Sequence, residues 1–115
     1  MVVEETVEHP LSDAMIDEAT GLFGALGDAS RLKILRVLLE AQNPLSQGAV
    51  AEASGLSQAN ASKHLGCLVR VGLVTREPEG NAVYFRPVLP LVSDLCSLVC
   101  DHVSDRAKAN YNALK

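Results

Sequence analysis

Residues 55–74 read GLSQANASKHLGCLVRVGLV, and the fold of the whole chain follows from how this stretch is read. Gly55 and Leu56 make a tight turn, and Ser57 has the side-chain oxygen that accepts from the first free N–H groups of a helix. Beyond it, Ala61, Leu65 and Leu68 recur at helical spacing and mark an inward face, leaving Gln58, Ala59, Ser62 and Lys63 on the outer side of the first turns. Upstream, SQGAVAEAS (46–54) reads as a short helix, so helix, glycine turn and second helix form a helix-turn-helix pattern. Downstream, LVTREPEGNAVYFRP (73–87) offers two β-prone runs, Leu73–Glu77 and Ala82–Arg86. Gly80 and Asn81 between them can take positive φ, which predicts a hairpin, or wing.

Toward the N-terminus, Ser12 caps a helix over DAMIDEATGLFGAL (13–26), with Met15, Ile16, Ala19, Leu22, Phe23 and Leu26 at helical spacing. Gly27 ends it and Asp28 caps the next, ASRLKILRVLLEA (29–41), whose Leu32, Ile34, Leu35, Leu38 and Leu39 separate from Arg31, Lys33, Arg36 and Glu40. The chain closes with a helical run from about Leu89 to Asn110, apolar at Leu91, Val92, Leu95, Cys96, Leu98, Val99 and Val103. The expected fold is mainly α with a small β-hairpin, a winged helix-turn-helix in the order α-α-α-α-β-β-α, dimerising through its terminal helices. Residues 12–110 form that domain, after a flexible acidic segment (1–11) and before a short tail (111–115).

With 115 residues, 48% of them hydrophobic, the chain supports one core, and with two Phe, two Tyr and no Trp that core is aliphatic. No apolar run approaches the ~18 residues of a membrane span, and MVVEETVEHP is acidic where a secretory signal is basic and then apolar. These features predict a cytoplasmic protein without membrane attachment. An odd number of cysteines, three, argues against a disulfide framework. The net charge of −4 is unevenly spread: seven acidic residues precede the first Lys or Arg, Arg31, whereas residues 57–86 hold Lys63, Arg70, Arg76 and Arg86 against Glu77 and Glu79. A polyanion would meet the middle of the chain. Catalysis is not expected, because the sequence has no phosphate loop, paired catalytic carboxylates or open metal motif.

Three motifs in this order resemble the ArsR/SmtB family of dimeric bacterial repressors: LFGALGDASRLKILRVLLE (22–40), GLSQANASKHLGCLVRVGLV (55–74) and REPEGNAVYFR (76–86). The resemblance covers about residues 20–105 and implies a repressor that releases double-stranded operator DNA on meeting a metal, metalloid or other signal. DNA contact would then fall to Ser57, Gln58, Ala59, Asn60, Ser62, Lys63 and His64 of the recognition helix and to Arg76 and Arg86 of the wing. The residue chemistry agrees: Gln pairs with adenine edges, Ser with several bases, and Lys63, His64 and the arginines suit phosphate or groove edges. A winged helix used only for protein contact is the rival that the acidic net charge favours.

The same resemblance directs attention to the thiols. Cys96 and Cys100 in SDLCSLVCDHVSD (93–105) stand at i and i+4, which brings two Cβ atoms within about 5–6 Å on one helix face. Cys67 lies on the stripe Lys63, His64, Cys67, Arg70. Together the three would suit As(III), Cd(II), Pb(II) or Hg(II) as effector, with His102 as an extra ligand, and no ion is required for folding. Two sites implied by the family are absent or incomplete: a Cys-x-Cys falls on Ser46 and Gly48, and an Asp-x-His pair on Leu89 and Leu91, although its complementary pair falls on His102 and Asp105. The alternatives are a redox or persulfide sensor built on Cys100, whose partner cysteine in the second helix is replaced by Arg36, and thiols that only pack a dimer interface.

Overall fold

The computed structural model describes residues 11–113. Helix α1 spans Asp13–Leu26, its first turn capped by Ser12 Oγ accepting from the Met15 N–H at 3.3 Å. Helix α2, Ala29–Glu40, is capped by Asp28 Oδ1 accepting from the Arg31 N–H at 3.0 Å. A two-residue strand β1 (Leu45–Ser46) leads into α3 (Gln47–Ser54), and α4 (Gln58–Arg70) follows a three-residue turn. Strands β2 (Val74–Glu79) and β3 (Ala82–Pro87) make the wing, and α5 (Leu91–Ala113) ends the chain.

The hairpin pairs Val74 with Pro87 through Glu79 with Ala82, leaving Gly80 and Asn81 as a two-residue turn. Only Gly80 takes positive φ, at 61°; Asn81 does not. Both strands run past their expected ends, because Pro78 and Glu79 stay in register with β3. A proline is tolerated there since β2 is an edge strand in the sheet order β1-β3-β2. Strand β1, paired Leu45 to Phe85 and Ser46 to Tyr84, was not expected: two residues after a proline carry no periodicity, and only the proximity of β3 makes them a strand.

One core joins Ile34, Leu35 and Leu38 of α2, Val50 of α3, Leu65 and Leu68 of α4, Leu73, Val74 and Phe85 of the wing, and Val92 of α5. Each large side chain buried here contributes about 1.5–3 kcal/mol. The apolar core is aliphatic apart from Phe85, as the composition requires. In α2 the burial departs from the expected stripe. Leu32 is exposed while Val37 is buried, and Arg31, assigned to the polar face, is half-buried.

The end of α4 fixes the wing. Gly72, at φ 84°, donates to the Val69 carbonyl at 3.1 Å, and the Leu73 N–H reaches back to the Leu68 carbonyl at 2.9 Å. The Val88 N–H then binds the Leu73 carbonyl at 3.0 Å, tying the far end of the hairpin to its start. Helix α5 begins against the core with Val92, Leu95 and Cys96, but every residue from Ser97 to Ala113 is exposed, and the helix runs three residues beyond the expected Asn110. Leu98, Val99, Val103 and Tyr111 on α5, with Met15, Ile16 and Phe23 on α1, are large apolar side chains left in solvent.

Candidate nucleic-acid interface and thiol pair

Helices α3 and α4 meet at a turn whose geometry the sequence sets. Gly55 takes the left-handed conformation at φ 75°, and the Leu56 N–H returns to the Ala51 carbonyl at 3.1 Å, closing α3. Ser57 Oγ then accepts from the Asn60 N–H at 3.1 Å and opens α4. Ala61, Leu65 and Leu68 pack inward with almost no exposure, so Gln58, Ala59, Asn60, Ser62, Lys63 and Arg70 are held at the surface along one side of α4.

His64 does not join them. Among the described residues it is the one buried polar side chain, 8% exposed, and its Nδ1 lies 3.4 Å from Arg31 Nη1. The expectation that His64 meets phosphate fails because the ring turns toward α2 rather than outward. Arg31 is the residue that sequence reasoning undervalued. Its Nε donates to the Ala25 carbonyl at 2.7 Å and its Nη2 to the Gly24 carbonyl at 3.3 Å, so one guanidinium closes the α1 C-terminus and touches α4. Its own backbone N–H, accepted by Asp28, holds that carboxyl below the ordinary carboxylate range, with further help from the Arg31 charge.

On the wing, Arg76 is exposed. Arg86 is exposed too, but its Nε donates to Glu77 Oε1 at 3.1 Å across the strands, while the Thr75 hydroxyl donates at 3.5 Å to the same oxygen. Nothing in the sequence pattern distinguished the two arginines, because the pairing depends on a diagonal contact set by register. Gln47, first in α3, meets Gln58, first in α4, through two hydrogen bonds of 3.3 Å. This contact was also not read from sequence.

The cysteines separate. Cys67 is half-buried against the core, Cys96 half-buried at the start of the free part of α5, and Cys100 exposed one turn further on. Among the described residues no three His, Cys, Asp or Glu side chains come together as a metal-binding group within one protomer. The three-thiol cluster expected from Cys67, Cys96 and Cys100 is therefore not assembled in a single chain. Cys96 and Cys100 do share a helix face, whereas His102, two residues after Cys100, lies on nearly the opposite side of the helix. Burial pushes the Cys96 thiol above its ordinary range, and a charge on Cys100 would raise it further. Also among the described residues, no helix is long and apolar enough to cross a membrane.

A helix-turn-helix whose second helix exposes small polar and basic side chains beside a hairpin carrying two exposed arginines defines a winged helix-turn-helix regulator. The comparisons agree. A model of the IclR helix-turn-helix domain matches residues 32–78. A probable mercury resistance operon repressor from Streptomyces lividans is 33% identical over 93 residues, 81% of this chain and 73% of that protein. An HTH-type transcriptional regulator of Mycobacterium tuberculosis, Rv0324, is 31% identical over 105 residues, 88% of this chain, which spans only 46% of that longer protein. Among solved structures, the homodimeric winged helix-turn-helix DNA-binding domain of Mb0332 from Mycobacterium bovis, a possible ArsR-family regulator, superposes with a TM-score of 0.75 at 31% identity. It covers 86% of this chain and 93% of that domain. The chain belongs to the ArsR family of winged helix-turn-helix transcriptional regulators, proteins that bind DNA and are not enzymes.

Proposed function

We propose that this protein is a homodimeric repressor that binds double-stranded operator DNA through α4 and the wing and releases it on capturing a thiophilic ion. The observation that carries the DNA reading is the outward row of Gln58, Ala59, Asn60, Ser62 and Lys63 on the second helix of the motif, with Arg76 on the adjacent hairpin. Small side chains let the helix sit deep in a major groove, and the basic groups supply phosphate contacts. The apolar faces of α1 and α5, uncovered in one chain, pair with those of a second chain. That pairing sets two recognition helices about one DNA turn apart on an inverted repeat.

The effector reading rests on Cys96 and Cys100, two thiols on one face of the helix that carries the dimer contact, and on the mercury resistance repressor among the relatives. Two thiolates suit a soft ion such as Hg(II), and Cys67, on α4, does not join them as a third ligand in a group of three within one chain among the described residues. A coupling of about 1–3 kcal/mol between the two sites is enough to shift operator affinity 5- to 150-fold. The repressor reading is tested by equilibrium binding of duplexes selected from a random pool. Wild type enriches an inverted repeat, and Lys63→Ala weakens binding on all sequences and flattens the salt dependence. A protein that enriches no duplex is not an operator binder.

A further inference from the structure

Gln47 and Gln58 open the two helices of the motif, and their side chains meet across the turn. Gln47 Nε2 lies 3.3 Å from the backbone oxygen of Gln58 and 3.3 Å from its Oε1. A backbone carbonyl can only accept, so the group that Gln47 turns toward it is the amide nitrogen. The Gln58 atom that meets the same nitrogen must also accept, so it is the oxygen. Two amides are thus oriented with no third residue involved. Gly48 lies beside the pair: a Cβ at that position would make an ordinary contact of 3.4 Å with Gln58 Nε2. Gln58 itself stays exposed, with one lone pair of Oε1 and both hydrogens of Nε2 still available.

That remainder is selective. In the major groove adenine presents the N6 donor beside the N7 acceptor, which an amide meets with its oxygen and nitrogen side by side. Guanine presents two acceptors, O6 and N7, against which the amide oxygen has no partner. A free Gln58 would sample both faces of its amide and many rotamers, and the tether to Gln47 removes most of that freedom before DNA arrives.

We infer that Gln47 is a positioning residue for sequence readout: it holds the Gln58 amide in the orientation that reads adenine, at one base pair in each half-site. The inference rests on the operator-binding reading above. Gln47 carries no charge, so its role lies in base preference and leaves the phosphate contacts of Lys63 and Arg76 alone.

The test measures relative affinities for all four bases at every operator position, by selection and competition, for wild type, Gln47→Ala, Gln47→Glu and Gln58→Ala. Gln47→Glu keeps the length of the side chain but cannot donate to the Gln58 carbonyl. Wild type should prefer adenine over guanine by about 10-fold at one symmetric pair of positions, a typical value for a good bidentate pair. Gln58→Ala should erase that preference. Gln47→Ala should lower it at least threefold at the same pair, leaving the other positions, the salt dependence and the thermal midpoint as in wild type; Gln47→Glu should lower it likewise, while its added charge weakens binding equally for all four bases. In the Gln58→Ala background, Gln47→Ala should change nothing further. Retention of full adenine preference in both Gln47 variants overturns the inference, as does a Gln58-dependent position that selects another base. A loss of preference at all positions together with a lower thermal midpoint assigns Gln47 a purely structural role and overturns it equally. If wild type enriches no sequence at all, the operator-binding reading fails and takes the inference with it.

Discussion

Glu77→Gln should make this protein bind DNA more tightly and with a steeper dependence on salt. The Arg86 guanidinium is held by the Glu77 carboxylate at 3.1 Å, so in the free protein one of the two wing arginines is already neutralised. Both side chains are about half exposed, at 54% and 44%, and such a pair is worth roughly 0–1 kcal/mol to folding. Removing the carboxylate therefore costs little stability but frees one cation per wing and deletes one anion facing the duplex. If each wing regains about 0.5–1 kcal/mol of phosphate attraction, a dimer gains about 1–2 kcal/mol, roughly a 5- to 30-fold lower Kd at fixed salt. Each added phosphate contact steepens the plot of log K against log salt by about 0.9, so two wings add about 1.8. The advantage of the variant should then shrink about 12-fold between 50 and 200 mM salt. Fluorescence anisotropy of a labelled operator duplex across that salt range measures both quantities. A variant with the affinity and salt slope of wild type would show that Arg86 takes no part in binding and that the pairing with Glu77 is incidental.

Further expectations concern stability, assembly and the thiols. Arg31→Ala removes the donors to Ala25 and Gly24 and the contact with His64, and should lower the urea-unfolding free energy by about 2–4 kcal/mol. An unchanged midpoint would refute the role given to this guanidinium. Asp28→Ala should lower the urea-unfolding midpoint at neutral pH through loss of the α2 cap. Because the folded-state pKa of Asp28 is depressed, its ionised form stabilises above the ordinary carboxylate pKa, and the difference between wild type and variant should shrink as pH falls through the depressed value. Val99→Glu places a charge within the uncovered apolar face of α5 and should turn a sedimenting dimer into a monomer; a dimer of unchanged strength would place the interface elsewhere. Because the Cys96 thiol is pushed up by burial, ion capture there releases a proton, so apparent Hg(II) affinity should fall as pH is lowered. A pH-independent affinity would exclude Cys96 as a ligand.

Local signals in the sequence carried most of the architecture. Ser12, Asp28 and Ser57 cap their helices as their side-chain chemistry requires, and Gly27, Gly55, Gly72 and Gly80 sit at ends and turns. The outward row on α4 followed from the inward spacing of Ala61, Leu65 and Leu68. What escaped depended on tertiary placement. His64 lies on the same helix and reads as a polar surface residue, but the half-buried Arg31 draws its ring inward. Leu32 reads as core yet is exposed, because the buried side of α2 runs through Ile34, Leu35, Val37 and Leu38. Strand β1 exists only because β3 passes beside Leu45 and Ser46, and the Gln47–Gln58 and Arg86–Glu77 pairs depend on turn geometry and strand register. The thiols show the same limit. Spacing along α5 placed Cys96 and Cys100 on one face, but it could not tell whether Cys67, on another helix, would come to them.

The central claim is a repressor that a thiophilic ion removes from DNA through α5. It is tested most directly by titrating Hg(II) into the reduced protein bound to its selected duplex, with Cys96→Ser, Cys100→Ser and Cys67→Ser alongside wild type. The account predicts release of the duplex at stoichiometric Hg(II), abolished by either α5 substitution and retained in Cys67→Ser. A complex that withstands Hg(II), or a Cys96→Ser, Cys100→Ser double variant that releases DNA as readily as wild type, would contradict it.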